Sequence, residues 1–249
     1  MIRQRCSSPL LFMCAAMLGA LWLSGCVSTT LEGPATTTDP ERTVALNVRM
    51  GTAYMEQGDL IRAHDKLDKA LAIDPDNPDA LQTRALVYQL QGEDELTNTL
   101  FKRALSAAPH FTRARNNYAA FLYSQGRTAE ACDQLEQASR NIDYDDRARL
   151  FTNLGLCQRE LGNLEAARKN LQRAQDINPR SARSYYTLAE INYAQGANER
   201  AWEQLQSYIR LSGSNPASLR LAEKIATVRS DTASAAFYSR QLDGSQGAP

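Results

Sequence analysis

A chain of 249 residues with 28 Lys and Arg against 28 Asp and Glu has no net charge to offer a polyanion. A nucleic-acid binder, which is strongly basic, is thereby excluded. The length is enough to bury a sizeable core, as one domain or as a repeat array. Two histidines and five cysteines leave little material for metal or nucleophile chemistry.

The N-terminus opens Met1-Ile2-Arg3-Gln4-Arg5, basic with no acid, and runs through 14 apolar or small residues from Leu10 to Leu23. A helix crossing the hydrocarbon core needs roughly 20. A basic start, a short apolar run and small residues predict a signal peptide over 1–25. The run closes on Leu23-Ser24-Gly25-Cys26, which resembles the lipobox of bacterial lipoprotein precursors. The resemblance implies that Cys26 becomes the first mature residue and carries diacylglycerol and an N-acyl chain. Several acyl chains hold a protein on a bilayer where one does not. Val27, where an Asp commonly signals inner-membrane retention, implies sorting to the periplasmic face of the outer membrane. Losing Arg3 and Arg5 leaves 26 basic and 28 acidic residues, and Cys6 and Cys14 leave too. Residues 26–42, rich in Ser, Thr and Pro, read as the lipidated cysteine and a flexible tether reaching on the order of 20 Å.

From residue 43 to 242 the sequence repeats itself every 34 positions. Tyr54 matches Tyr88, Gly58 matches Gly92, Leu67 matches Phe101, Ala70 matches Ala104 and Pro75 matches Pro109. Further copies start near Tyr118, Leu154 and Leu188. Small residues at 51, 85, 119, 155 and 189 allow two helices to pack closely. Gly58, Gly92, Gly126, Gly162 and Gly196 sit where a first helix stops in the left-handed conformation. Pro75, Pro109 and Pro179 end the second helices. Asp74 to Asp79, "DPDNPD", lacks the central glycine and distal glutamate of a calcium loop. It reads as a helix stop and restart, with Asn77 as cap and Pro78 at the first helical position. This is the tetratricopeptide pattern. It predicts an all-α fold, a right-handed tetratricopeptide repeat superhelix (an α-solenoid) of about six helical pairs. The third copy lacks the proline and is followed by a longer connection. The sixth, 216–242, lacks the glycine and reads as a degenerate capping unit, followed by a disordered tail over 243–249.

Chemistry is sparse. His64 and His110 have no second ligand nearby in sequence, and no phosphate loop, Cys-x-x-Cys or nucleophile elbow is present. No enzyme activity, cofactor, metal or small-molecule substrate is expected, apart from the lipid on Cys26. Cys132 and Cys157 fall on neighbouring helices. They either form a disulfide, as an oxidising compartment allows, or fill space as free buried thiols. A Cα separation above about 7 Å would exclude the bridge.

The inner face of such a superhelix is lined by the first helices. In the first two units it carries Val48, Thr52, Met55, Leu86, Gln89 and Leu90, an apolar groove suited to an amphipathic helix. The alternative is that these side chains simply pack within the array. Later units carry a basic and aromatic secondary groove of Arg113, Asn116, Tyr123, Arg149, Arg159, Tyr186 and Tyr193.

Lipobox, tether, five clear repeats and a degraded sixth together resemble the type IV pilus biogenesis/stability lipoproteins, the pilotins of the pilus secretin. The likeness is strongest in "ARNNYAAFLYSQGRTAEACDQLEQAS", from Ala114, and "RARLFTNLGLCQRELGNLEAARKNLQRA", from Arg147. It implies that the protein binds the secretin subunit, brings it to the outer membrane and promotes its multimerisation, so that pili and twitching motility depend on it. The other reading is a generic lipoprotein adaptor that scaffolds peptidoglycan enzymes or β-barrel assembly.

Overall fold

The computed structural model describes residues 39–246. The expected signal peptide, Cys26 and most of the expected tether lie outside them. Among the described residues the chain forms twelve helices in six successive pairs. These are α1 (Pro40–Glu56) and α2 (Leu60–Ile73), α3 (Pro78–Gln91) and α4 (Asp94–Ala107), α5 (Thr112–Ser124) and α6 (Thr128–Ala138). They continue with α7 (Arg147–Glu160) and α8 (Leu164–Ile177), α9 (Ala182–Ala194) and α10 (Asn198–Ser212), α11 (Pro216–Val228) and α12 (Thr232–Gln246). The fold is an all-helical tetratricopeptide superhelix. Each first helix packs on its own second helix, each second helix on the next first helix, and several first helices touch the following first helix.

The repeat chemistry works as the spacing predicts. Gly58, Gly92, Gly126, Gly162 and Gly196 all have φ between 73° and 79°. Asn77 caps α3 by accepting from the Ala80 N–H at 3.0 Å, and Pro78 occupies the first turn. Gly51 and Gly155 are small for steric reasons. A Cβ on Gly51 would stand 2.9 Å from Leu67 Cγ, and one on Gly155 would stand 2.6 Å from Leu171 Cγ. The largest core cluster runs through the second, third and fourth units, with Phe101, Tyr118, Phe121, Leu122 and Leu150 at its centre.

Two boundaries differ from the sequence reading. The first helix starts at Pro40, three residues inside the tether expected to end at 42, because proline is tolerated at a first helical position. The last helix runs to Gln246, four residues into the expected tail. The sixth unit is a helical pair, as expected, and it lacks the glycine. Ser230, 34 positions after Gly196, takes φ 58° and is the sole non-glycine residue with positive φ among the described residues.

Between α6 and α7 the connection over 139–146 is tied down. Asn141 donates to Thr112 Oγ1 at 2.8 Å and accepts from the Asp143 N–H at 3.0 Å, and Tyr144 packs on the main core. The buried sulfurs of Cys132 on α6 and Cys157 on α7 are bonded across this junction, with their Cα atoms 5.7 Å apart.

Candidate functional site: two cavities on the inner face

The first helices of the early units border a cavity of about 630 Å³. α1 contributes Val48, Thr52 and Met55 to its wall, and α3 contributes Leu86. All four are partly exposed. Their roles are divided. Val48 also packs on the Val44, Ala70 and Ala80 cluster, and Met55 on the Ala63, Leu67 and Val87 cluster. Each therefore supports the array with one face and presents the other to the cavity. Polar groups frame the apolar strip. Arg113 pairs with Asp79, and Arg149 pairs with Asp146 at 2.7 Å.

Gln89 and Leu90 are not part of this wall. The cavity is bounded by α3 from Asp79 to Leu86, and the last turn of that helix carries them past its edge; Leu90 is 63 % exposed. The residues that take their place are Asp79, Gln82 and Thr83. Counting back three, four and seven positions from Leu86 would have found them, since those positions share a helix face. Gln82 is 4 % exposed, and its Oε1 has no hydrogen-bond partner among the described residues.

The expected secondary groove is not one surface. Arg113 and Arg149 belong to the large cavity. Asn116 is buried at 1 % exposure, where its Oδ1 accepts from Asn153 Nδ2 at 3.1 Å, so it joins α5 to α7 and faces no partner. Tyr123 and Arg183 line a small cavity of about 150 Å³. Arg159 bonds Glu190 at 2.5 Å and Glu160 at 2.8 Å. Tyr186 and Tyr193 line a separate C-terminal cavity of about 350 Å³ between α9 and α11. Burial, with the carboxylates of Glu160 and Glu190 nearby, pushes the Tyr123 and Tyr186 hydroxyls above the usual phenol value. Both therefore stay protonated donors at neutral pH.

The histidines stand apart from these cavity walls. His64 bonds Gln91 Oε1 at 3.0 Å and packs on Tyr88, and His110 lies on a helix connection. Among the described residues no group of three His, Cys, Asp or Glu is placed to hold a metal ion, and no helix is long and apolar enough to cross a membrane.

Tetratricopeptide repeat models match residues 51–92, 111–180 and 152–216. The type IV pilus assembly protein PilF of Pseudomonas aeruginosa is 31 % identical over 225 residues, covering 90 % of this chain and 89 % of that protein. The chain belongs to the PilF family of type IV pilus assembly proteins. Solved structures agree. That of P. aeruginosa PilF superposes with a TM-score of 0.79 at 29 % identity, covering 84 % of this chain and 95 % of that one. That of PilW, a widely conserved type IV pilus biogenesis factor, gives 0.74 at 25 % identity, covering 82 % and 93 %.

Proposed function

We propose that the protein is a lipid-anchored pilotin. It binds the type IV pilus secretin subunit, carries it to the periplasmic face of the outer membrane and promotes its assembly into multimers. The observation that carries this reading is the cavity between α1 and α3. It holds three partly exposed apolar side chains, Val48, Met55 and Leu86, among charged residues that include the Arg113–Asp79 pair. An apolar strip of this kind accepts the apolar face of an amphipathic helix. Each large apolar side chain fully withdrawn from water contributes about 1.5–3 kcal/mol, so a few suffice to hold and shield a client segment during transit. Acyl chains on Cys26 would supply the membrane address, and membership in a pilus assembly family supports a pilus component as the client.

The test is the state of the secretin in a strain lacking this gene, read on gels that preserve multimers after membrane fractionation. The expected result is monomer stranded in the inner membrane, corrected by the wild-type chain but not by Cys26→Ala. The double substitution Val48→Glu and Leu86→Glu should leave the helical circular dichroism intact and abolish correction. Normal outer-membrane multimers without the protein would sink the proposal and leave the generic adaptor.

A further inference from the structure

The C-terminal cavity differs from the N-terminal one in the character of its walls. α9 contributes Tyr186, Glu190 and Tyr193, and α11 contributes Arg220, Leu221 and Lys224. The one carboxylate in this set, Glu190, is already held by Arg159 at 2.5 Å. Arg220 and Lys224 are exposed and have no ion-pair partner among the described residues. Arg183, exposed one turn before Tyr186, likewise has none and extends the positive path towards Tyr123. One wall thus offers uncompensated cations, and the other offers aromatic faces tipped with hydroxyl donors.

We infer that this cavity is a second docking site, independent of the apolar groove, for an extended acidic peptide segment of a protein partner. Charge identifies the ligand, because the only acid in the cavity is neutralised and the two free groups are cationic. An extended segment is compatible with the spacing of the two cations. Side chains four apart on a helix stand about 5–6 Å from one another. Same-face side chains of an extended chain stand about 6.6 Å apart, two residues at about 3.3 Å each. Carboxylates at alternate positions of an extended segment therefore meet Arg220 and Lys224 together. A cavity of about 350 Å³ admits such a backbone. Apolar residues between the carboxylates lie against the rings of Tyr186 and Tyr193 and against Leu221.

The test uses the purified full chain and a short fluorescein-labelled peptide of alternating glutamate and leucine, read by fluorescence anisotropy at low and high salt. The expected result is salt-sensitive binding that disappears when glutamine replaces glutamate. Arg220→Glu and Lys224→Glu should each weaken it by roughly tenfold, the loss of one charge-assisted contact. Both positions are exposed, and Arg220→Gln, which adds no new charge, should weaken binding in the same direction. Val48→Glu with Leu86→Glu should leave it unchanged, which separates this site from the secretin groove. Absence of binding, equal binding of the glutamine peptide, or loss in the Val48/Leu86 variant alone would overturn the inference. Sedimentation with anionic vesicles supplies the remaining arm. If charge reversal releases the protein from vesicles but leaves peptide binding untouched, the surface is a lipid contact and the inference fails.

Discussion

The third and fourth units meet differently from the fifth and sixth. At the centre the connection over 139–146 breaks the helical spacing, yet Cys132 and Cys157 are bonded across it and the largest core cluster runs through it. At the C-terminal end only 213–215 separate the helices, and the contact is made by side chains alone. Gln206 donates to the Tyr238 hydroxyl at 3.0 Å, Trp202 packs edge-on against Tyr238, and Arg229, just past the end of α11, reaches Glu199. Among the described side chains of α12 only Leu242 is buried. In an array whose units touch only their neighbours, stability is close to a sum of local terms. The centre decides whether the array stays whole, and the end decides only whether one unit frays.

The largest effect should come from cutting the central bond. The loop-closure relation assigns a 25-residue separation about 3.5 kcal/mol of stabilisation. Replacing both cysteines by alanine should lower stability by about that amount and turn a single denaturant transition into two, as the halves uncouple. A loss below about 1 kcal/mol would show that the shared core alone joins the halves, and that the two junctions differ less than their covalent structure suggests. A smaller central effect is expected from Gly155→Ala. The new Cβ would lie 2.6 Å from Leu171 Cγ and 3.1 Å from the Ala167 carbonyl oxygen, so the helices must part, at a cost of about 1–3 kcal/mol. Gly51→Ala meets Leu67 less closely, at 2.9 Å, and should cost less. Equal thermal shifts for the two would count against steric closeness as the cause.

Much of this contrast is legible in the sequence, and what escapes it does so for identifiable reasons. The period of 34, the small residues and the five glycines are local requirements of helix geometry, so they expose the fold directly. Asn116 reads as a groove residue because it sits at a groove register, yet a hydrogen bond to Asn153, 37 positions away, draws it into the interior. Gln89 and Leu90 read as lining because Met55, one period before Gln89, does line the cavity. Which turn of α3 borders the cavity depends on how successive units stack, and no local spacing carries that. The two cysteines reveal a possible bond by falling on adjacent helices, but their separation is a tertiary quantity. The proposed lipid anchor, Cys26, lies outside residues 39–246 and is read from the sequence alone.

At the weaker end a substitution can improve the array. Ser230 occupies the left-handed conformation that glycine fills in the five preceding units. That conformation costs a residue with a Cβ about 1–2 kcal/mol, while glycine carries an entropic penalty of its own. Ser230→Gly should therefore stabilise the sixth unit by about 1 kcal/mol or less. The gain should appear as slower amide exchange across 216–246, with the central units unchanged. No change in exchange there would show that the α11–α12 turn does not limit the end.

The smallest expected effect is set by pH, and it bears more on the sixth unit than on the centre, where a disulfide that does not titrate joins the units. The hydrogen bonds and charge of Arg229 hold the Glu199 carboxyl below its ordinary range, against a lesser opposing effect of desolvation. The Asp231 carboxyl is held low by the Ser234 N–H, which it accepts at 3.0 Å as the cap of α12. A carboxylate whose folded value lies below its unfolded one contributes stability above the unfolded value and loses it as pH falls through the folded value. Unfolded Glu and Asp titrate near pH 4, so the contribution is complete at neutral pH and fades below about pH 4. Arg229 stays charged throughout, its own value raised by Glu199. Amide exchange over 216–246 should accelerate between pH 7 and about pH 3, after correction for intrinsic rates, and by more than exchange over the third and fourth units, where Glu130, held low by Arg127, also titrates but the disulfide and the shared core persist. Glu199→Gln with Asp231→Asn should remove most of that dependence. Equal acid sensitivity at both junctions would mean that the ion pair and cap do not hold the sixth unit, and that Trp202, Tyr238 and Leu242 do so by packing alone.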